Sequence, residues 1–135
     1  MEETDRLTRA EKEMIVVATS AINNCNYCLA SHGALLRIYS KNVLLGDQVA
    51  ISHRHSDITD RQKTMLDFAV LVAKGQPIDD NEIKHMKDSG FTDEEIWDIG
   101  SIAAFFALSN RMAHLTNMRP NEEFYMLGRQ PKEKK

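Results

Sequence analysis

Residues 23–32 read NNCNYCLASH and hold the only two cysteines of the chain. Apolar patterns with helical spacing flank this stretch, at 9–22 before it and 25–39 after it. Asparagine is among the preferred residues at the cap position before a helix, so Asn23 or Asn24 is predicted to cap the second helix. We therefore predict an antiparallel helix hairpin that turns at Asn24.

The two cysteines and a histidine share one face of the predicted second helix. Cys25, Cys28 and His32 follow one another at spacings of three and four, and such residues are neighbours on a helix surface. Cys25 is predicted in the first turn, where free N–H groups and the helix dipole stabilise a thiolate. Cys28 lies one turn from His32, so the imidazole can accept its proton. A C-x-x-C pair at a helix start closes readily into a disulfide, which predicts redox chemistry.

Glu13 is a carboxylate on the apolar side of the first predicted helix, where it falls between Val16 and Val17 on the helical wheel. In a hairpin that turns at Asn24, Glu13 lies eleven positions before the turn and His32 eight after it. The difference of three positions corresponds to about 4.5 Å along the helix axis. A carboxylate side chain or one bridging water spans that distance. Glu13 is thus predicted to orient His32 or to pass protons to the thiols.

The rest of the chain predicts an all-α fold. Three capping boxes begin at Thr8, Thr59 and Thr92, each followed by an apolar periodic run, and no convincing alternating strand is found. Beyond the hairpin, helices are predicted at 42–53, 60–74, 79–89 and 93–117. We predict one domain at 1–128 and a disordered tail at 129–135. The segments 60–74 and 93–117 are apolar over much of their circumference, which predicts a homo-oligomer.

Composition argues against several classes of function. The net charge of −3 does not favour a nucleic-acid partner. The longest apolar run, residues 102–108, is far shorter than the ~20 residues that span a bilayer, so no membrane association is expected. The polar opening residues contain no signal-peptide pattern, and we expect a cytoplasmic protein. Two cysteines in a reducing compartment indicate metal binding or redox chemistry.

The spacing Glu-x11-Cys-x2-Cys-x3-His, formed by Glu13, Cys25, Cys28 and His32, resembles the signature of the alkyl hydroperoxidase D (AhpD-like) family. This family lies within the carboxymuconolactone decarboxylase-like superfamily. The segments TRAEKEMIVVATSAINNCNYCLASHGALL and FFALSNRMAHLTNMRPNEEFY are most similar to its peroxidase-related branch. The chain departs from the best-known members at Tyr27, where they carry a histidine between the cysteines.

The resemblance implies an all-helical domain that assembles as a homotrimer or homohexamer and reduces hydroperoxides. It implies that Cys28 becomes a sulfenic acid, and that Cys25 donates a proton, closes the disulfide and exchanges with a thiol or protein-disulfide reductant. Glu13 and His32 would form the proton relay. On this interpretation, no prosthetic group or metal is needed.

Three alternatives remain open from the residues. A zinc site would draw on the cysteine pair and His32, with His53, His55 or water as a further ligand. A non-enzymatic redox sensor would use the same cysteines but would oxidise only once. A decarboxylase-like enzyme would act on a small organic acid and would not need the cysteines. This alternative stays open because one fold can support different chemistries.

Overall fold

The computed structural model describes residues 7–129, and the helices within that part confirm the predicted all-α class. No strand occurs in these residues. The α-helices are α1 (Arg9–Ile22), α2 (Asn26–Ser40), α3 (Leu45–Ser52), α4 (Asp60–Ala73), α5 (Asp80–Asp88), α6 (Asp93–Leu115) and α7 (Glu122–Met126), with a 3₁₀ turn at His53–His55 after α3.

The three predicted capping boxes are present and determine where α1, α4 and α6 begin. The hydroxyls of Thr8, Thr59 and Thr92 accept hydrogen bonds from the backbone N–H three residues on, at 3.0–3.1 Å. In return, each threonine N–H donates to the glutamate or glutamine side chain at that position, at 3.0 Å. Each cap satisfies donors that a helix start otherwise leaves unpaired, an effect of about 1 kcal/mol.

Two elements differ from the predicted pattern. The predicted helix at 42–53 begins only at Leu45, because the Asn42 side chain accepts a hydrogen bond from the Leu44 N–H at 3.0 Å and holds a turn there. Helix α7 was not predicted. Of the predicted tail, Arg129 is described and pairs with Asp47 at 2.8 Å, whereas residues 130–135 lie outside the described residues.

Helix α1 lies at the centre of the domain and contacts α2, α3, α4 and α6. Its apolar residues join those of α2, α4 and α6 in one continuous core. The largest fully buried apolar side chains of these helices are Ile15, Val17, Leu36, Met65, Leu66 and Ile99. In the described part of the chain, no helix is both long and apolar enough to cross a bilayer. The central position of α1 places one side of it against α2, where the candidate site lies.

A buried arginine attaches α7 to α2. The Arg37 guanidinium donates hydrogen bonds to the carbonyl oxygens of Leu127, at 2.6 and 2.9 Å, and of Phe124, at 3.2 Å. Its burial, and secondarily the charge of Arg129, lower the pKa of Arg37. The carbonyl oxygens therefore compensate a guanidinium that has lost most of its water.

Replacement of Arg37 by methionine is expected to lower the free energy of unfolding by roughly 2–3 kcal/mol, because the partly buried carbonyl oxygens of Phe124 and Leu127 lose their donor. Urea unfolding measures the loss, and hydrogen exchange should show faster exchange of the amides at 122–129. The control is Arg54→Met, since Arg54 is exposed and its ion pair with Asp67 lies at the surface. Equal losses in the two variants would contradict the anchoring role of Arg37.

Candidate active site

The cysteine pair lies at the start of α2, and Cys25 itself caps the helix. The Cys25 Sγ accepts a hydrogen bond from the Cys28 N–H at 3.3 Å. The predicted asparagine cap is wrong. Asn23 ends α1, and Asn24 makes the turn with a positive φ of 53°, a conformation that asparagine tolerates. Cys25 is then the last residue before the helix, so it lies at the cap position and not within the first turn.

Both thiols are free and buried, with exposed fractions of 2% for Cys25 and 3% for Cys28. Burial raises the pKa of the Cys28 thiol to about 11, and the adjoining Cys25 thiol acts in the same direction. Hydrogen bonds from Asn110 and Ser20 act in the opposite direction and offset part of this increase in the pKa of Cys28. Cys28 is therefore protonated at neutral pH, and its reaction as a nucleophile requires a proton acceptor.

Glu13 and His32 meet across the hairpin, one turn along α2 from Cys28. The Glu13 Oε2 and the His32 Nδ1 are 2.7 Å apart, with exposed side-chain fractions of 15% and 23%. A carboxylate accepts from Nδ1–H, so in the neutral imidazole Nε2 carries the free lone pair. The ring also packs edge-on against Phe106, with centroids 5.0 Å apart. The antiparallel hairpin thus holds an oriented imidazole on the cysteine face of α2.

Buried polar side chains on the other side of Cys28 were not among the predicted site residues. Asn110 of α6 is fully buried. Its Nδ2 donates to the Ser20 Oγ at 3.0 Å, and its Oδ1 accepts from the side-chain Nδ2 of Asn23 at 3.1 Å. The same Asn110 and Ser20 side chains hydrogen bond with the Cys28 thiol. The available signal was Asn110 itself, a polar residue that interrupts an otherwise apolar helix and requires partners when buried.

Tyr27, between the two cysteines, faces α7. Its ring packs edge-on against Phe124 with centroids 6.3 Å apart. A cavity of about 300 Å³ opens beside Cys25, and α7 contributes Tyr125 to its wall. His114 also lines this cavity and donates from Nε2 to the Asn23 carbonyl oxygen at 2.6 Å. His114 therefore lies next to the site.

The histidines considered as further zinc ligands contact other residues. The His53 Nε2 lies 2.7 Å from the Asp67 carboxylate, and the His55 Nδ1 lies 2.7 Å from the Ser52 hydroxyl. Across residues 7–129, no group of three or more histidine, cysteine, aspartate and glutamate side chains is arranged to hold a metal ion. The described geometry therefore gives no support to the zinc alternative.

The raised pKa of Cys28 predicts a loss of stability at alkaline pH. The folded state holds the Cys28 proton up to about pH 11, whereas the unfolded chain releases it near pH 9. The resulting stabilisation is fully present below about pH 9 and is lost as the pH rises towards 11, by about 1 kcal/mol at pH 10. Urea unfolding of the reduced protein from pH 7 to pH 10 measures this loss. Cys28→Ala should remove the part of this loss that comes from the Cys28 thiol. If the unfolding free energies of the two proteins fell in parallel with pH, the assignment of the loss to Cys28 would be contradicted.

Fold and site together define an all-helical protein with a C-x-x-C thiol pair and an adjoining carboxylate–imidazole pair. Residues 1–42, which include all four of these residues, match the model of the carboxymuconolactone decarboxylase family. A comparison with curated proteins found no match.

Two solved structures are similar over nearly the whole chain. One is a peroxidase-related protein from Ralstonia eutropha JMP134, described as an alkylhydroperoxidase AhpD core, with 52% identity and a TM-score of 0.92. The match covers 97% of this chain and 69% of that one. The other, a peroxidase-related protein from Silicibacter sp. TM1040, has 38% identity, a TM-score of 0.89, and coverages of 94% and 66%. The present chain belongs to this AhpD-like, peroxidase-related family.

Proposed function

We propose that the protein is a thiol-dependent hydroperoxidase that reduces peroxides through Cys25 and Cys28. The observation that carries the proposal is the 2.7 Å contact between Glu13 and His32, one turn from a buried thiol pair. A buried, protonated Cys28 requires a base to become a nucleophile, and the oriented imidazole is such a base on the same face of the same helix. The AhpD core from Ralstonia eutropha, named as an alkylhydroperoxidase, supports the choice of substrate class.

In the proposed reaction, the Cys28 thiolate attacks one oxygen of the hydroperoxide and the O–O bond breaks. Cys28 becomes a sulfenic acid, and the alkoxide leaves as an alcohol after taking up a proton. The Cys25 sulfur then attacks the Cys28 sulfur, and water leaves as the disulfide forms. The two thiols supply both electrons and both protons. Two thiol equivalents from a reductant restore the pair.

Glu13 and His32 carry out the proton transfer in this scheme. His32 accepts the Cys28 proton at Nε2 while Glu13 stabilises the imidazolium through Nδ1–H, and the imidazolium then protonates the leaving alkoxide. Asn110 and Ser20 donate hydrogen bonds that favour the Cys28 thiolate. The site thus has separate groups for removing the proton and for stabilising the charge.

An apolar surface on α6 supports assembly into a homotrimer or homohexamer. Trp97 and Leu115 are each 76% exposed, and Phe105 is 62% exposed. Large apolar side chains grouped on one helix favour burial against another subunit. A cysteine pair that a thiol reductant must reduce again after each turnover is suited to a reducing compartment, which supports a cytoplasmic location. Neither a nucleic acid nor a membrane is part of the proposed activity.

The test is peroxide consumption with hydrogen peroxide and an alkyl hydroperoxide, using dithiothreitol or a thioredoxin-type protein as the reductant. We expect many peroxide equivalents consumed per protein, with the reductant oxidised in equal amount. A single equivalent of oxidation followed by a change in assembly would instead establish a redox sensor. Turnover of an organic acid that survives loss of both cysteines would establish the decarboxylase-like alternative.

A further inference from the structure

The two thiols of the candidate site have different surroundings. Cys28 is directed to the buried Ser20 and Asn110 side chains. Cys25 lines the cavity of about 300 Å³ at the end of α6, a volume at the lower end of the range typical of small-molecule sites. Of the two cysteines, Cys25 is therefore the one at the wall of this cavity.

The cavity walls are suited to a negatively charged molecule. Besides Cys25, they include Arg119, His114 and three asparagines, and no aspartate or glutamate is among the lining residues. The remaining lining residues are Ala113, Met118, Pro120 and Tyr125. Arginine binds carboxylates through its planar set of donors, and asparagine amides add neutral donors.

Arg119 is available for such a ligand. Its side chain is exposed, and within residues 7–129 it forms no ion pair or hydrogen bond with another residue. The other arginines near this end of the molecule are used within the fold: Arg37 binds backbone carbonyl oxygens, and Arg129 binds Asp47. Among the described residues, Arg119 thus differs from both in having no hydrogen-bond or ion-pair partner.

We propose that this cavity is the binding site of the reductant, and that the reductant is a small thiol carrying a carboxylate, which Arg119 binds while the thiol faces Cys25. The proposal rests on the proposed peroxidase function for its place in the cycle. The binding preference itself does not depend on peroxide chemistry, and the experiments below measure it separately.

The chemistry assigned to the site balances with two thiols. The thiolate of the first attacks the Cys25 sulfur, a mixed disulfide forms, and the Cys25–Cys28 bond breaks with its electron pair moving to Cys28. Cys28 then takes up a proton. The second thiolate attacks the ligand sulfur of the mixed disulfide, which releases the symmetrical disulfide and Cys25 as a thiolate that is protonated in turn. Two thiols are oxidised, and one protein disulfide is reduced.

The first experiment measures the reduction rate of the oxidised protein by three thiols of similar size and different charge. They are 3-mercaptopropionate, 2-mercaptoethanol and 2-aminoethanethiol, each corrected for its intrinsic rate against a small model disulfide. Arg119→Gln should lower the corrected rate with 3-mercaptopropionate about tenfold and leave that with 2-mercaptoethanol within about twofold. The matched control is Arg54→Gln, which removes the same charge from a residue that does not line the cavity and should change neither rate.

The second experiment uses the reduced protein and therefore does not require the disulfide. In a Cys28→Ser background, Cys25 is the sole thiol, and its alkylation by iodoacetate and by iodoacetamide compares an anionic with a neutral probe of similar size. Arg119→Gln should lower the iodoacetate-to-iodoacetamide rate ratio about tenfold, and Arg119→Lys should retain much of it.

Equal losses with charged and neutral thiols, or an unchanged alkylation ratio, would overturn the proposal, because Arg119 would then not bind a carboxylate. Charge selectivity that depends on Arg119 in a protein without peroxide turnover would leave this site standing and remove the proposed function. Peroxide turnover without charge selectivity would support the proposed function and overturn the proposed reductant site.

Discussion

Replacement of Cys28 by serine is expected to lower peroxide turnover by roughly a thousandfold or more while the fold is retained, because a serine hydroxyl is not ionised at neutral pH and is a poor nucleophile towards peroxide. Serine is close in size to cysteine, and the Cys25 cap uses the backbone N–H of residue 28, not its side chain. Turnover is measured with saturating alkyl hydroperoxide and dithiothreitol, and folding is checked by thermal unfolding.

The matched variant is Cys25→Ser, which keeps Cys28 and removes only the resolving thiol. It should react with one equivalent of peroxide and stop as a Cys28 sulfenic acid, which dimedone traps and mass spectrometry locates. The proposed roles of the two cysteines would be contradicted if Cys28→Ser retained turnover. They would have to be exchanged if the trapped sulfenic acid were found at Cys25 in the Cys28→Ser variant.

Much of the fold follows from local signals in the sequence. The starts of α1, α4 and α6 match the predictions because a capping box is a contact within four residues, so its chemistry is fully contained in the local sequence. Helix α7 was missed because its attachment depends on Arg37, about 90 positions earlier in the chain. Five residues of helix have little stability of their own, and only a contact that distant in sequence explains them.

The candidate site also contains some contacts that could be predicted from the local sequence and others that could not. The Glu13–His32 contact could be predicted because both residues lie on one hairpin, where helical rise and the turn position determine their separation. The Asn110–Ser20 contact could not, because it joins helices that are 90 positions apart and needs the packing of α6 on α1. The asparagine cap was wrong because the two residues before Cys25 were required to end α1 and to form the turn.

Glu13→Gln is expected to lower turnover by at least a hundredfold, within the range of 10²- to 10⁴-fold typical of general acid–base catalysis. Glutamine has nearly the same size and can still accept the His32 Nδ1–H, so the ring should remain oriented. What the variant loses is the negative charge that stabilises the imidazolium after His32 takes the Cys28 proton. The variant therefore separates the proton relay from the packing of the hairpin.

The matched control is Glu11→Gln, which neutralises a buried glutamate two residues away on the same helix. Glu11 contacts Thr8 and Gln62, and glutamine also serves at this position of a capping box. This control should retain turnover, whereas Glu13→Gln should not.

The alkylation of Cys28 by iodoacetamide in the Cys25→Ser background tests the relay without any peroxide. At pH 7 the Glu13→Gln change should slow alkylation, because the thiol depends on His32 to lose its proton. At about pH 11 the two rates should converge, since much of the Cys28 thiol is then ionised without help from His32. A structural defect would slow alkylation equally at both pH values and would contradict the relay.

His32→Ala combined with Glu13→Gln should lower turnover no more than His32→Ala alone, because a carboxylate that acts only through the imidazole has no effect once the ring is gone.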